Sequence, residues 1–217
     1  MKLLRITFPI LLGMCMTQCD SSKRREAKAE DLLQKHLFET LDNYSTYEKI
    51  AIEIDTLREY HLSSPDVFNS AKDYLMSYYK SEVHDERVEE LEKRAKHAAY
   101  SVITSNGYNF LYAMQNYESA EKEFEKAQEY QASMRSATTV KKEYLDSVYN
   151  SVTVPENPYW HITHKFRYAN DGSNARIYVY HYIVDPEVKE IILSWDENDN
   201  DPYTFGAIEY ICNYGND

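Results

Sequence analysis

Apolar residues follow three different rhythms along this 217-residue chain. They run almost unbroken from Ile6 to Met16, recur every three or four residues through the middle, and alternate with polar residues from Trp160 onward. The second rhythm is that of helices with one buried stripe, and the third is that of half-buried strands. Leu33, Leu37 and Leu41, with Leu32 beside them, predict a first helix over 27–41. After Asp42-Asn43, Ile50, Ile52 and Ile54 alternate with small or charged residues, and β-branching favours the pleated backbone. A strand is the expectation there, although Ile50, Ile54 and Leu57 also suit a helical stripe.

Ser64-Pro65-Asp66 marks the next helix start. Serine can cap the first amides, proline at the first helical position has no amide to waste, and aspartate complements the positive helix end. Val67, Phe68, Ala71, Tyr74, Leu75 and Tyr78 keep helical spacing, and Val88, Leu91, Ala95, Ala98 and Val102 resume it at coiled-coil intervals. Asn106-Gly107 ends this run. Phe110, Met114, Tyr117, Ala120, Phe124, Ala127, Met134, Ala137, Tyr144 and Val148 then predict a second arm of similar length. Two matched arms and a tight turn make an antiparallel hairpin, about 60 Å long at 1.5 Å per residue.

Pro155 and Pro158 punctuate the change to alternation. One strand carries Trp160, Ile162, His164, Phe166 and Tyr168, and Asn170-Asp171-Gly172 supplies a turn. A second strand sets Ile177, Val179, His181 and Ile183 against Tyr178, Tyr180 and Tyr182; a third follows Asp185-Pro186 and runs from Val188 to Trp195. A short helix is expected from Tyr203, with Phe205, Ile208 and Ile211 inward. The fold class is therefore α+β: a long helical hairpin with a three-stranded antiparallel meander, which Ile50–Ile54 can extend to four strands. Along the chain this divides as signal peptide 1–18, lipidated tether 19–30, helix and strand 31–63, hairpin 64–150, and meander with C-terminal helix 151–217.

The opening run follows Lys2 and Arg5 and holds eleven mostly apolar residues, too few for the roughly 20 that cross a bilayer as a helix. It fits the hydrophobic region of a signal peptide. Met16-Thr17-Gln18-Cys19-Asp20-Ser21-Ser22 comes next, an apolar residue three places before a cysteine and a polar tail after it. That resembles the lipobox of bacterial lipoproteins, in which cleavage before the cysteine leaves it as the acylated N-terminus, carrying chains of the palmitate type. Gln18 departs from the Gly, Ala or Ser usual at its position. Cys15, after Leu12-Gly13-Met14, is the alternative site; Cys19 is favoured because Met16 still belongs to the apolar run. Cys212 then has no second cysteine in the mature chain with which to form a disulfide. Residues 21–30 are charged and aperiodic, the composition of a tether, and Lys23-Arg24-Arg25 would lie near lipid headgroups.

The formal charge is −12, with 36 acidic and 24 basic side chains, and becomes −14 once residues 1–18 are removed. Nucleic-acid binding draws on basic side chains facing phosphates, and no folded stretch supplies them, so no nucleic acid is expected as a partner. Tyrosine is abundant, 21 residues against 7 phenylalanines, which suits half-buried surfaces that stay partly wet.

The order of features resembles small lipoproteins of unknown function from Bacteroides-type bacteria. The matching words are the lipobox-like start, Leu41-Asp42-Asn43-Tyr44-Ser45-Thr46-Tyr47-Glu48 leading to Ile54-Asp55, and Trp160-x-x-x-His164-Lys165-Phe166-Arg167. Gly172, a tyrosine-bearing strand, Asp185 and an acidic stretch after Trp195 complete them. The resemblance implies a cell-envelope location, lipid-anchored, and no particular activity.

Candidate chemistry is sparse. Asp196, Asn198 and Asn200 match positions 1, 3 and 5 of a calcium loop, but Asp201 replaces the turn glycine and Ala207 the bidentate glutamate. His161 and His164 are three apart on a strand and point to opposite faces, whereas His164 and His181 on neighbouring strands are expected to share one. Cys212 lies among Ile208, Tyr210 and Ile211, a packing environment. No catalytic residue, metal ligand or cofactor is assigned. The expected partners are membrane lipid, through acylated Cys19, and an envelope protein on the hairpin or the tyrosine-rich sheet face. The alternative is an envelope hydrolase built on His164, His181 and nearby carboxylates.

Overall fold

A computed structural model describes residues 7–169, 174–198 and 201–214, with side chains from residue 21 onward. The chain forms two compact units, Met1–Pro65 with Thr153–Asp201, and Asp66–Val152 with Pro202–Asp217. The class is α+β, as expected.

The first unit contains helix α1 (Thr7–Thr40) and strands β1 (Glu48–Thr56), β2 (Trp160–Tyr168), β3 (Arg176–Val184) and β4 (Ile191–Asp196). The strands form one antiparallel sheet in chain order, so the isoleucine segment does add the fourth strand. Ala29, Leu33 and Leu37 are a buried i, i+4, i+8 row on α1, and they pack in two clusters with Ile162, Tyr182, Val184, Phe166 and Tyr168 of the sheet. The first helix starts earlier than the 27–41 expected for it: residues 21–30, read as a charged tether continuing into that helix, are helical throughout. Ala29 is fully buried and the Arg25 guanidinium lies 3.6 Å from the Trp160 ring centroid, so this stretch is bound by packing despite its charge. The turn at 170–173 lies outside the described residues.

The last strand starts later than Val188 because the turn before it is larger than Asp185-Pro186 alone. The Asp185 carboxylate accepts the backbone N–H groups of Glu187, Lys189 and Glu190 at 3.1, 2.6 and 2.7 Å. Burial opposes ionisation of Asp185, but these three donors outweigh it and hold its pKa below the usual carboxylate range. Val188 sits inside this turn with φ of 58°, a left-handed conformation that costs a β-branched residue about 1–2 kcal/mol. Its side chain is buried against Ala29 and Leu33, which offsets that strain.

The second unit is the hairpin, α2 (Pro65–Thr104) and α3 (Tyr108–Ser151), with α4 (Pro202–Asn213) at its open end. Antiparallel pairing is fixed by contacts of steadily opposed numbering: Asp73 with Lys141, Ser77 with Thr138, Asp85 with Gln131 and Arg135, and Arg94 with Glu123. The inward row of α3 departs from the apolar pattern over its second half. Gln131, Thr138 and Leu145 face α2 or the interior, while Ala137 and Tyr144 are exposed. Polar pairs hold the seam there, so apolar spacing could not mark it. At the turn, Gly107 has φ of 60° and ψ of −128°, a backbone region essentially restricted to glycine.

Candidate functional site

The register of the sheet decides which histidines meet. Thr163 pairs with His181 and His164 with Tyr180, so His164 and His181 lie on opposite faces. The expected His164–His181 pair does not form. The reason is that the tyrosines of β3, not its β-branched row, face α1: Tyr182 is fully buried beside Ile162, and its ring meets His36 of α1 edge-on at 5.8 Å.

On that tyrosine face His164 is fully buried. Its Nε2 lies 3.1 Å from the Tyr47 hydroxyl, and whichever group donates, Nδ1 makes no hydrogen bond among the described residues. Burial, reinforced by Lys49, pushes the imidazole pKa down to about 4, so it is neutral near pH 7. Burial, then Tyr44 and Glu30, push the Tyr47 phenol up to about 12. Tyr182 stands on the same face with a buried hydroxyl, likewise unbonded among the described residues, and burial raises its pKa strongly.

The opposite face carries the pair that does form. His161 Nε2 lies 3.1 Å from His181 Nδ1, with ring planes 15° apart. One imidazole donates to the other, nearly in plane. Trp195 lies roughly parallel to both rings, with centroids 5.9 and 5.1 Å away. Thr163 Oγ1 reaches His181 Nδ1 at 3.4 Å, and Glu197 Oε2 stands 4.0 Å from His181 Nε2. Burial and the neighbouring imidazole lower the pKa of His161, and burial lowers that of His181 against the opposing pull of Glu197 and Asp196. The row can pass one proton between rings, but two protons would face each other across the short contact.

A basic groove of about 600 Å³ lies elsewhere in the first unit, lined by Arg24, Arg25, Lys28 and the Pro186–Val188 turn. Trp160 Nε1 donates to the Pro186 carbonyl at 3.1 Å and Lys28 Nζ to the Glu187 carbonyl at 3.3 Å, so the turn and the basic residues are tied together. The side chain of Cys19 lies outside the described residues, as do Asp199 and Asn200 of the acidic loop. Asp196 caps that loop by accepting from the Asn198 backbone at 2.9 Å. Among the described residues no three His, Cys, Asp or Glu side chains gather as a metal cage.

In the second unit Lys142 sits among Tyr74, Tyr210 and Tyr214, with ring centroids 5.8, 5.9 and 5.2 Å from Nζ. Asp146 receives Lys142 at 2.9 Å and also the Tyr214 hydroxyl. Burial alone would lower the lysine pKa, but Asp146 and Tyr210 outweigh it and raise it. This cluster fastens α4 to the open end of the hairpin. Cys212 is exposed on α4, contrary to the packed setting expected, because Ala207 and Ile211 take the inward positions. At the closed end Tyr100, Ile103, Tyr108, Phe110, Leu111 and Tyr112 are 42–87% exposed.

Sequence reasoning missed the His161–His181 pair and the exposed hairpin tip, and both had a signal. Centring the β2–β3 turn on Gly172 pairs Thr163 with His181. The tip is announced by the absence of Asp, Glu, Lys and Arg between Lys96 and Glu118. Comparison with protein-family models, curated proteins and solved structures finds no match to this chain.

Proposed function

We propose that this α+β chain is a cell-envelope lipoprotein, held to a membrane through acylated Cys19 after removal of residues 1–18. We further propose that it works as a binding or structural module and not as an enzyme. The observation that carries the location is the sequence Met16-Thr17-Gln18-Cys19 directly after an apolar run too short to span a bilayer. No helix among the described residues is long and apolar enough to cross a membrane. The likeness to small Bacteroides-type lipoproteins supports the same address. The contact role is supported by the apolar residues left exposed at the hairpin tip, since exposed apolar side chains gathered at one place commonly mark an interaction site. A hydrolase using His164 with His181 is not retained, because the sheet separates those two rings.

Intact-mass analysis of the protein extracted from membranes tests the anchor. The expected mass is that of the chain from Cys19 plus its acyl groups, and Cys19→Ser is expected to release the protein from the membrane fraction. An unchanged mass and fractionation in that variant would remove the anchor. For the contact role, the lipidated protein is used as bait in envelope extracts and vesicles; retention of nothing in either would count against it.

A further inference from the structure

We infer that the hairpin tip is a membrane-contact element that seats in the headgroup region of an uncharged bilayer surface. The first support is charge. The chain is 28% charged and carries −12 overall, yet residues 97–117 contain no Asp, Glu, Lys or Arg. A partner recognised through ion pairs has nothing to pair with here, and the acidic remainder repels an anionic surface. Zwitterionic lipid is the complement of such a tip.

The second support is shape. Ile103 and Tyr108, on either side of the turn, are 81% and 87% exposed. Phe110, Leu111 and Tyr112 are consecutive helical residues, about 100° apart around the axis, and all three are exposed. Only Ala113 of this turn of α3 is buried. The apolar side chains therefore point to several sides of the hairpin end instead of forming one flat patch, and a groove lined by Ser101, Ser105, Asn109 and Asn116 interrupts them on one side. A second copy or a rigid protein meeting it from one side covers only part of it. A fluid interface wraps all sides at once. The residue types agree, since tyrosine rings settle at headgroup level with the hydroxyl outward, and helical backbone satisfies its own polar groups there.

This deepens the binding-module reading but does not require acylation of Cys19, so the test removes that sulfur. The chain from residue 19 onward, carrying Cys19→Ser and Cys212→Ser, receives one thiol by Tyr108→Cys, labelled with an environment-sensitive fluorophore. A second protein carries the label at Tyr130, an exposed position midway along the arm. Both are mixed with phosphatidylcholine vesicles bearing spin-labelled acyl chains. The expected result is blue-shifted, quenched emission at position 108 and unquenched emission at position 130. Adding Ile103→Glu and Leu111→Glu, both at exposed positions, is expected to weaken partition at least tenfold while the circular dichroism melt stays unchanged. Unaltered emission at 108 in the folded protein would overturn the inference, as would equal quenching at both positions or quenching that survives the two glutamates. So would a concentration-dependent dimer that the glutamates abolish in the absence of vesicle contact. None of these outcomes bears on Cys19, whose acylation is read separately by mass.

Discussion

The two faces of the sheet hold histidine in opposite ways. Under α1, His164 is sealed among Phe166, Tyr47 and the tyrosines of β3, bonded through one nitrogen and neutral down to about pH 4. On the other face His161 and His181 are half-buried, bonded to each other, and within reach of the partly exposed Glu197. Side-chain type is the same. What differs is the medium: one ring is a fixed packing element, and the other two form a pair able to exchange a proton with water. For these three histidines the chemistry is set by which side of a pleat the residue occupies.

The largest expected contrast comes from removing bulk. Phe166→Ala on the tyrosine face should cost about 3–5 kcal/mol, since a fully buried ring leaves a cavity that strands on both sides keep open. Ile177→Ala on the histidine face, where the side chain is 50% exposed, should cost under about 1 kcal/mol. Urea midpoints of the two variants measure the contrast, and equal losses would erase it.

Acid comes next. His164 has a folded pKa near 4 against an ordinary value of 6.5. The unfolded chain therefore binds the extra proton first. The stability that neutral His164 contributes is complete above about pH 6.5 and is lost as the pH falls through 4, by about 3 kcal/mol. His161 and His181 act in the same direction, their pKa values also being lowered. His164→Leu should flatten the stability profile between pH 6.5 and 4 more than His181→Leu does, as read from denaturation midpoints across that range.

Smaller effects separate bonded from unbonded groups on the buried face. Tyr47→Phe removes the partner of His164 and leaves a buried imidazole with no hydrogen bond, at a cost of about 1–3 kcal/mol. Tyr182→Phe removes a buried hydroxyl that makes no hydrogen bond among the described residues, and should stabilise by about 1 kcal/mol. Thermal melts of opposite sign are the expected outcome; losses of equal size would show that the Tyr182 hydroxyl is satisfied.

Most of the architecture was legible in the sequence, because period and punctuation survive in it. The hairpin arms, the turn at Gly107, the isoleucine strand and the C-terminal helix all follow from spacing, glycine, proline and β-branching. Three things were not. The extension of the first helix back through residues 21–26 goes with the Arg25 guanidinium stacking on Trp160 of the sheet, which no local rhythm announces. The second half of the α3 seam is held by Gln131 and Thr138, polar residues that apolar counting passes over. The histidine pairing depends on strand register, and a one-residue choice of which β3 row faces inward moved His181 to the wrong face. Tyrosine, apolar in its ring and polar at its tip, hid the inward row among outward ones.

The smallest expected effect tests whether the histidine face is open to its surroundings. Glu197 is more than half exposed and stands 4.0 Å from His181 Nε2, where its charge favours the protonated ring. In Glu197→Gln the His181 pKa should fall further, with a stability change below about 1 kcal/mol, as for other exposed ion pairs. Salt supplies the discriminating step. At 1 M ionic strength the screening length is about 3 Å, so wild type and variant should titrate alike. His164 is shielded from solvent and should keep its titration at either salt concentration. Proton NMR of the three imidazoles, followed from pH 8 to 3 at low and high salt, resolves both behaviours. A salt-independent His181 would mean that its face is as closed as the one under α1, and the contrast between the two faces would then reduce to hydrogen bonding alone.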